Sequence, residues 1–226
     1  NRRVAGDLES EITDPILATG KHVIVIGGGD TGSDCIGTSV RQGALSVTNF
    51  ESLAMPSLQR PANQPWPYWP MKLRTTTSHE EAGNQREFSI LTKSFIEKNG
   101  QLKSLTTVEV EMIRDPQTNA MRMNEMPGTE AIWACDLAIL ALGFIGPETD
   151  GIVQQYACEL DARGNVKTQN FMSSTPGFFS AGDAQRGQSL IVWAISDGRE
   201  CARAVDTWLM GESKLPTKGG KDLPRI

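Results

Sequence analysis

One glycine-rich run has the residue types and spacing to bind a phosphorylated ligand. Gly27-Gly28-Gly29-Asp30-Thr31-Gly32 has the form G-x-G-x-x-G. In such a motif the first glycine permits a tight turn, the second lets the backbone approach a pyrophosphate, and the third brings a helix against a strand. The free N–H groups at the start of that helix favour a phosphate. The run therefore predicts a dinucleotide site, and the alternative is a glycine turn without a nucleotide.

Glu51 is the acidic residue that follows the second predicted strand. About 20 residues beyond such a motif, an acidic side chain accepts hydrogen bonds from the ribose 2′-hydroxyl. The same carboxylate would repel a 2′-phosphate, so the sequence favours NADH over NADPH. The alternative is a solvated carboxylate at the end of a strand.

A second glycine and acid pair, Gly182-Asp183, precedes Gly187-Gln188-Ser189 and a long predicted helix. The N-terminus of that helix could stabilise negative charge on a flavin ring. The same residues also fit a turn followed by a capped helix. Neither His22 nor His79 has a partner in the sequence that predicts catalysis, so we nominate no general acid or base.

The elements around the first motif follow the order strand, glycine turn, helix, strand. Residues 21–26 are a β-branched run, typical of a strand buried on both faces of a parallel sheet. The helix is predicted to begin near Asp30 or Thr31 and to stop at Gly43, and a second strand covers 46–50. This is the first βαβ unit of a Rossmann-like fold.

The rest of the chain shows a proline-rich loop, a run of β patterns and a second α/β segment. Residues 55–70 contain five prolines and are predicted to form a packed connector, with a lid or a partner surface as the alternative. Residues 87–135 are typical of an antiparallel meander, and 78–81 are expected in a polar loop. The later elements are a buried strand that ends at Gly143, a short strand and a long helix (136–143, 177–181 and 189–210).

Composition and charge exclude several classes of protein. The chain has 226 residues, 38% of them hydrophobic, and a net charge of −5, so neither disorder nor a nucleic-acid partner is expected. The four cysteines contain no C-x-x-C pair, and no metal site is predicted. No apolar run is long enough for a membrane span, so a cytoplasmic protein is expected. The chain starts with Asn1 and not methionine, which suggests a fragment of a longer one.

Three segments carry a resemblance to a known family. They are 23–43, 63–70 and 182–195, and the last contains Gly187-Gln188-Ser189-Leu190-Ile191-Val192-Trp193-Ala194-Ile195. Together they resemble the small (β) subunits of glutamate synthases, and the resemblance extends from about Gly20 to Met210. It implies a flavoprotein reductase in which an NAD(P)H-binding domain is inserted into an FAD-binding domain.

The resemblance also assigns roles to residues. It implies that the first motif contacts the NAD(P)H pyrophosphate, that Asp183 lies near the flavin ribityl chain, and that the backbone at 188–190 lies near the flavin pyrimidine. The predicted cofactor-binding residues are Gly27, Gly28, Gly29, Asp30, Thr31, Gly32, Glu51, Gly143, Gly182, Asp183, Gln188, Ser189 and Leu190.

The fold class expected from these patterns and from the resemblance is α/β. It is a three-layer FAD/NAD(P)-binding, Rossmann-like fold with a parallel sheet and an antiparallel β-meander. The expected domains are a leading segment, an NAD(P)H-binding domain, the C-terminal part of an FAD-binding domain and a flexible tail (1–20, 21–143, 144–212 and 213–226).

Two features of the resembling family are missing from this chain. The family has an earlier glycine motif for FAD and a cysteine-rich region for 4Fe-4S clusters, so iron–sulfur clusters are expected in a missing N-terminal part. This chain then holds half of an FAD site and is expected to retain little FAD.

The resemblance further implies an electron route and a partner. Hydride would pass from NAD(P)H to FAD, and electrons onward to the large (α) subunit, which makes glutamate from glutamine and 2-oxoglutarate. The alternatives are a related NAD(P)H:flavin reductase with another acceptor, and a nucleotide-binding module without turnover.

Overall fold

The computed structural model describes residues 15–67, 69 and 72–218, and it forms two compact units. Unit 1 extends to Leu142 and unit 2 begins at Gly143. Most of the predicted leading segment, residues 1–14, and the end of the predicted tail, residues 219–226, lie outside the described residues.

Unit 1 is built on a parallel sheet with the strand order β3-β2-β1-β8. The strands are β1 His22–Ile26, β2 Ser46–Phe50, β3 Arg86–Glu87 and β8 Leu137–Leu140. All three pairings are parallel, which confirms the predicted sheet. Strand β3 was not predicted, because two residues are too few to show a hydrophobic period.

Helix α1, Gly29–Arg41, covers one face of this sheet. It begins slightly earlier than predicted because Gly28 is the N-cap residue. Its Ile36 packs with Val23, Val25 and Val47 of the sheet in one buried cluster. Gly43 follows the helix with φ of +79°, a conformation that glycine adopts without strain.

An antiparallel sheet covers the opposite face. It contains β4 Ile90–Lys98, β5 Gln101–Arg114, β6 Met121–Glu125 and β7 Ala131–Ala134. Buried side chains from both sheets form the second core cluster of unit 1 (Ile24, Phe50, Ile90, Leu105 and Cys135). The three predicted layers are confirmed: helix, parallel sheet and antiparallel sheet.

The strand pairing differs in one respect from a simple meander. Strand β7 pairs with β5, from Ser104 opposite Ala134 to Thr107 opposite Ala131. Strand β6 pairs with the other end of β5, from Val110 to Arg114. Because β5 is 14 residues long, its two ends can pair with different strands.

Residues 78–81, predicted as a polar loop, lie in helix α2, Thr77–Glu81. Thr76 and His79 form a reciprocal capping box at its start. His79 is buried, with 6% of its surface exposed. The loop prediction was wrong because the capping partner of Thr76 is a histidine and not the usual Glu or Gln.

Unit 2 has less regular structure. Its elements are a kinked helical segment Thr149–Val153, β9 Thr168–Gln169, β10 Met172–Ser173, α3 Asp183–Arg186 and α4 Ile191–Met210. Residues 177–181, predicted as a strand, make a single β-bridge between Met172 and Phe179. Helix α4 starts two residues later than predicted, and Gly211 follows its end with φ of +83°.

The described part of the predicted tail contacts α4. Arg203 Nη1 donates hydrogen bonds to the carbonyl oxygens of Ser213 and Leu215, at 3.2 and 2.6 Å. The backbone N–H of Lys218 donates to Glu200 Oε1 at 2.8 Å. These contacts restrain residues 213–218.

Within the described ranges, no helix combines the length and the hydropathy needed to cross a membrane.

Candidate functional site

The glycine turn after β1 needs its first and third glycines for close packing. Gly27 has φ of +104°, and a Cβ there would overlap the carbonyl oxygen of Ala141. A Cβ on Gly32 would lie 2.6 Å from the carbonyl oxygen of Gly27. Since both neighbours are backbone atoms, larger side chains do not fit. The turn and the start of α1 are therefore tightly packed together.

The second glycine of the motif faces open space. Gly29 has φ of +87°, and among the described residues a Cβ there would meet no atom within 4 Å beyond its chain neighbours and the backbone of its own helix. Gly28 is the N-cap residue of α1, and within the described chain no side chain caps this helix end. Asp30 and Thr31, in the first turn, are exposed. An anion placed beside Gly29 would meet free N–H groups and the positive end of the helix dipole.

Asn49 links the turn to the sheet, and sequence analysis missed it. Its Nδ2 donates to the carbonyl oxygens of Val25 and Gly27, at 3.1 and 2.9 Å. The side chain is almost fully buried. A polar residue in a strand otherwise expected to be buried was the available signal.

Glu51 lies directly beside the glycine turn. A Cβ on Gly28 would lie 2.6 Å from Glu51 Oε2. Glu51 Oε1 pairs with Arg86 Nη2 at 2.5 Å, and the two side chains are 21% and 12% exposed. Arg86 is 35 residues away in sequence, so the sequence did not indicate this ion pair. Because of this pair, a ligand at Glu51 meets a carboxylate whose negative charge is offset by the positive charge of Arg86.

His79 completes a polar cluster around this ion pair. Its Nδ1 accepts a hydrogen bond from the backbone N–H of Thr76 at 3.2 Å. Burial lowers the pKa of His79, the nearby Arg86 lowers it further, and Glu51 partly opposes the shift. His79 is therefore neutral at pH 7 and adds no charge to the cluster.

We expect His79 to make the stability of unit 1 depend on pH. Its pKa in the folded chain is below the unfolded value of about 6.5, so below that pH the unfolded chain binds more protons. The free energy of unfolding should then fall between about pH 6.5 and the lower folded-state pKa. Urea unfolding should show a steeper loss on acidification in the native chain than in His79→Asn, whose Oδ1 can still accept from Thr76. Equal pH slopes in the two proteins would contradict this expectation.

Unit 2 contains a cavity of about 540 Å³ that two of the other predicted site residues line. Asp183, Gly187 and Gln188 line it, together with Phe144 and Asn165. The lining is mixed, with apolar surface next to amide and carboxylate groups and the guanidinium of Arg163. Such a cavity suits part of a large ligand with both ring and polar groups.

Hydrogen bonds join the predicted residues at this cavity. Gln188 Oε1 accepts from the backbone N–H of Phe144 at 2.8 Å, and its amide lies against Gly143, where a Cβ would be 2.5 Å from Nε2. Asp183 Oδ1 accepts from the backbone N–H of Ser189 at 3.2 Å. Leu190 is the N-cap residue of α4 and, in the part of unit 2 that is described, receives no side-chain cap.

A buried ion pair that sequence analysis missed supports α3. Asp197 accepts hydrogen bonds from Arg186 Nε and Nη2, at 2.7 and 2.5 Å. Asp197 is 1% exposed, and the guanidinium lies 5.1 Å from the ring centroid of Trp193. Because Arg186 ends α3 and Asp197 belongs to α4, the pair fixes one helix to the other.

The cysteines and the acidic residues form no metal site within the described ranges, where no three His, Cys, Asp or Glu side chains converge. All four cysteines are free thiols. Cys135 and Cys158 are buried, and Cys35 and Cys201 are partly buried.

Comparisons with known proteins agree with this geometry. Residues 3–198 match the family model described as pyridine nucleotide-disulphide oxidoreductase. The chain is 43% identical over 219 residues to the glutamate synthase (NADPH) small chain of Mycobacterium tuberculosis, which covers 96% of this chain and 43% of that one. It is 44% identical over 223 residues to the glutamate synthase (NADH) of Schizosaccharomyces pombe, covering 94% of this chain and 10% of that protein.

A solved structure shows the same fold. FprA of Mycobacterium tuberculosis, an oxidoreductase solved in complex with NADPH, matches with a TM-score of 0.60 at 12% identity, over 86% of this chain and 54% of that one. At such low identity the likeness concerns the fold alone.

The chain spans less than half the length of the matched small chain. Within that span the resemblance seen in the sequence is confirmed, since relatives more than 40% identical along nearly all of this chain are named glutamate synthase or its small chain. Together with the family match and the glycine turn, this shows that the chain belongs to the pyridine nucleotide-disulphide oxidoreductases.

Proposed function

We propose that this chain is the NAD(P)H-binding part of a glutamate synthase small chain, together with the C-terminal part of its FAD-binding domain. Residues 21–143 would bind NAD(P)H and residues 144–212 would contribute to the FAD site. The observation that carries the proposal is the glycine turn of unit 1, where Gly29 faces open space at the uncapped start of α1.

In unit 1 the pyrophosphate would lie against Gly28, Gly29 and the N–H groups of Asp30 and Thr31. Gly27 and Gly32 would hold the turn in shape at the pyrophosphate, because neither leaves room for a side chain. Glu51 lies beside Gly28 and would accept a hydrogen bond from the ribose 2′-hydroxyl, which favours NADH.

In unit 2 the residues present fit one side of a flavin site. The cavity offers the carboxylate of Asp183 and the amide of Gln188, and Gly143, Gly182 and Ser189 belong to the same turns. Leu190 opens α4, whose N-terminus would favour negative charge on the ring. Bound FAD would supply the hydride-accepting chemistry. The residues of this chain would bind and orient, without a general acid or base.

The names of the relatives support the wider role. A small chain implies a large partner, so we place this chain in a complex with the large (α) subunit of a glutamate synthase. Electrons from NAD(P)H would pass onward through iron–sulfur clusters carried outside this chain, for glutamate synthesis from glutamine and 2-oxoglutarate. This activity belongs in the cytoplasm. A related reductase that serves another acceptor would share the same two sites.

The proposal is tested with the chain itself. Calorimetric titration with NADH should give saturable binding at one site, and ADP-ribose should compete for it. Only one G-x-G-x-x-G is present in the chain, so the purified protein should show little visible flavin absorbance and no NADH oxidation. Absence of binding by both NADH and NADPH would refute the nucleotide site, and stoichiometric flavin would refute the half-site assignment.

A further inference from the structure

We propose that Glu51 and Arg86 together determine which nucleotide binds. The positive charge of Arg86 offsets the negative charge of Glu51 and so reduces the preference for NADH over NADPH. When Glu51 is removed, Arg86 becomes a ligand for a 2′-phosphate. The inference rests on the proposed nucleotide site of unit 1. It concerns a residue that the sequence did not associate with that site.

The sheet register brings Arg86 to the proposed ribose position. Strand β3 runs parallel to β2, with Arg86 paired to Asn49 and Glu87 paired to Phe50. The backbone N–H of Glu51 donates to the carbonyl oxygen of Glu87 at 2.8 Å. These contacts hold the two backbones side by side, so the register places Arg86 within reach of the Glu51 carboxylate.

The guanidinium is held on three sides. Nη2 pairs with Glu51, Nη1 donates to the carbonyl oxygen of Arg74 at 3.0 Å, and the group lies 5.0 Å from the ring centroid of Phe88. Within the described residues, Nε is buried and has no hydrogen-bond partner. A buried N–H donor without a partner is unfavourable, so a guanidinium that turned outward to a ligand oxygen would gain a hydrogen bond that it lacks here.

The ion pair changes what a 2′-phosphate meets. A lone carboxylate beside the ribose would repel it, whereas Glu51 and Arg86 at 2.5 Å have no net charge. His79, the third ionisable group of the cluster, is neutral, because burial and Arg86 lower its pKa. The remaining preference for NADH comes from the carboxylate that lies closer to Gly28. Removing Glu51 would leave Arg86 with free donors in the geometry that suits a phosphate.

The test is a double-mutant cycle with calorimetric Kd values for NADH and NADPH. The readout is the ratio of the NADPH Kd to the NADH Kd in the native chain, Glu51→Gln, Arg86→Gln and the double variant. Glu51→Gln should lower this ratio by about tenfold or more, the size expected for one charged contact. Arg86→Gln should raise it, because the carboxylate then acts alone. In the double variant the ratio should lie between those of the single variants.

A conservative variant separates selection from structural support. Arg86→Lys keeps the charge and should keep the ratio near its native value, even if both affinities change. If Arg86→Gln weakens both nucleotides equally and leaves the ratio unchanged, Arg86 only holds β3 in place and the proposal is wrong. An unchanged ratio in Glu51→Gln would overturn it as well. If the native chain binds neither nucleotide, the proposed function fails instead.

Discussion

Gly29→Ala is expected to weaken NADH binding by about tenfold or more while the chain stays folded. The added methyl group would occupy the open space beside the start of α1, where the described part of the chain, apart from the adjoining residues and the backbone of α1, has no atom within 4 Å. Displacing the pyrophosphate from the helix N-terminus removes its hydrogen bonds to the backbone, and a loss of about 1.4 kcal/mol of binding free energy is already tenfold.

The matched control is Gly43→Ala. Gly43 has φ of +79°, close to the +87° of Gly29, and apart from its two chain neighbours its Cβ would also meet no atom of residues 15–67, 69 and 72–218 within 4 Å. Both variants should therefore lose a similar 1–2 kcal/mol or so of stability from the left-handed backbone. Gly43 lies at the opposite end of α1, so its variant should bind NADH normally in calorimetry. Equal NADH affinities in the two variants would contradict the placement of the pyrophosphate beside Gly29.

Asp197→Asn is expected to destabilise unit 2 by roughly 2–3 kcal/mol, at or just below the usual effect of breaking a buried ion pair. The carboxylate is 1% exposed and accepts two hydrogen bonds from Arg186, which is 35% exposed. An amide can accept one of these bonds and turns its own donors toward the other. The loss of stability should stay below the largest values seen when a buried ion pair is broken, because water can still hydrate the partly exposed Arg186.

Urea unfolding followed by tryptophan fluorescence measures this loss, since Trp193 lies beside the pair. Glu159→Gln is the control, because Glu159 forms an exposed ion pair with Lys167 at 2.8 Å in the same unit. That substitution should change the unfolding midpoint little, since water screens exposed pairs. If both variants shift the midpoint equally, the Arg186–Asp197 pair does not support the fold as inferred.

Local patterns predicted the elements around the glycine turn. A β-branched run, a glycine motif and a helical period specify β1, α1 and β2 from residues that are close in sequence, and β2 was placed at 46–50 as observed. Gly43 was also predicted as a helix end, because a left-handed residue after a helix is a local requirement. The same locality explains why residues 87–135 were predicted as antiparallel strands, two of which, β4 and β5, are joined by the short turn Asn99-Gly100.

Partners across long sequence separations were not predicted. The sequence shows that Glu51 ends a strand, but only the register of β3 against β2 brings Arg86 to it. His79 was expected in a loop and is buried where both charges of that pair shift its pKa, and β7 pairs with β5.

The sequence by itself determined the turn, the helix that follows it and the acid at the end of β2, because each depends on the steric and hydrophobic properties of neighbouring residues. Tertiary structure alone decided the charge at the proposed ribose position, through the pair of Glu51 with Arg86 35 residues away. It also decided that Arg186 of α3 pairs with Asp197 of α4. Such pairings arise when segments that are distant in sequence pack together. The hydrophobic periodicity of each segment does not show which ionic groups this packing brings into contact.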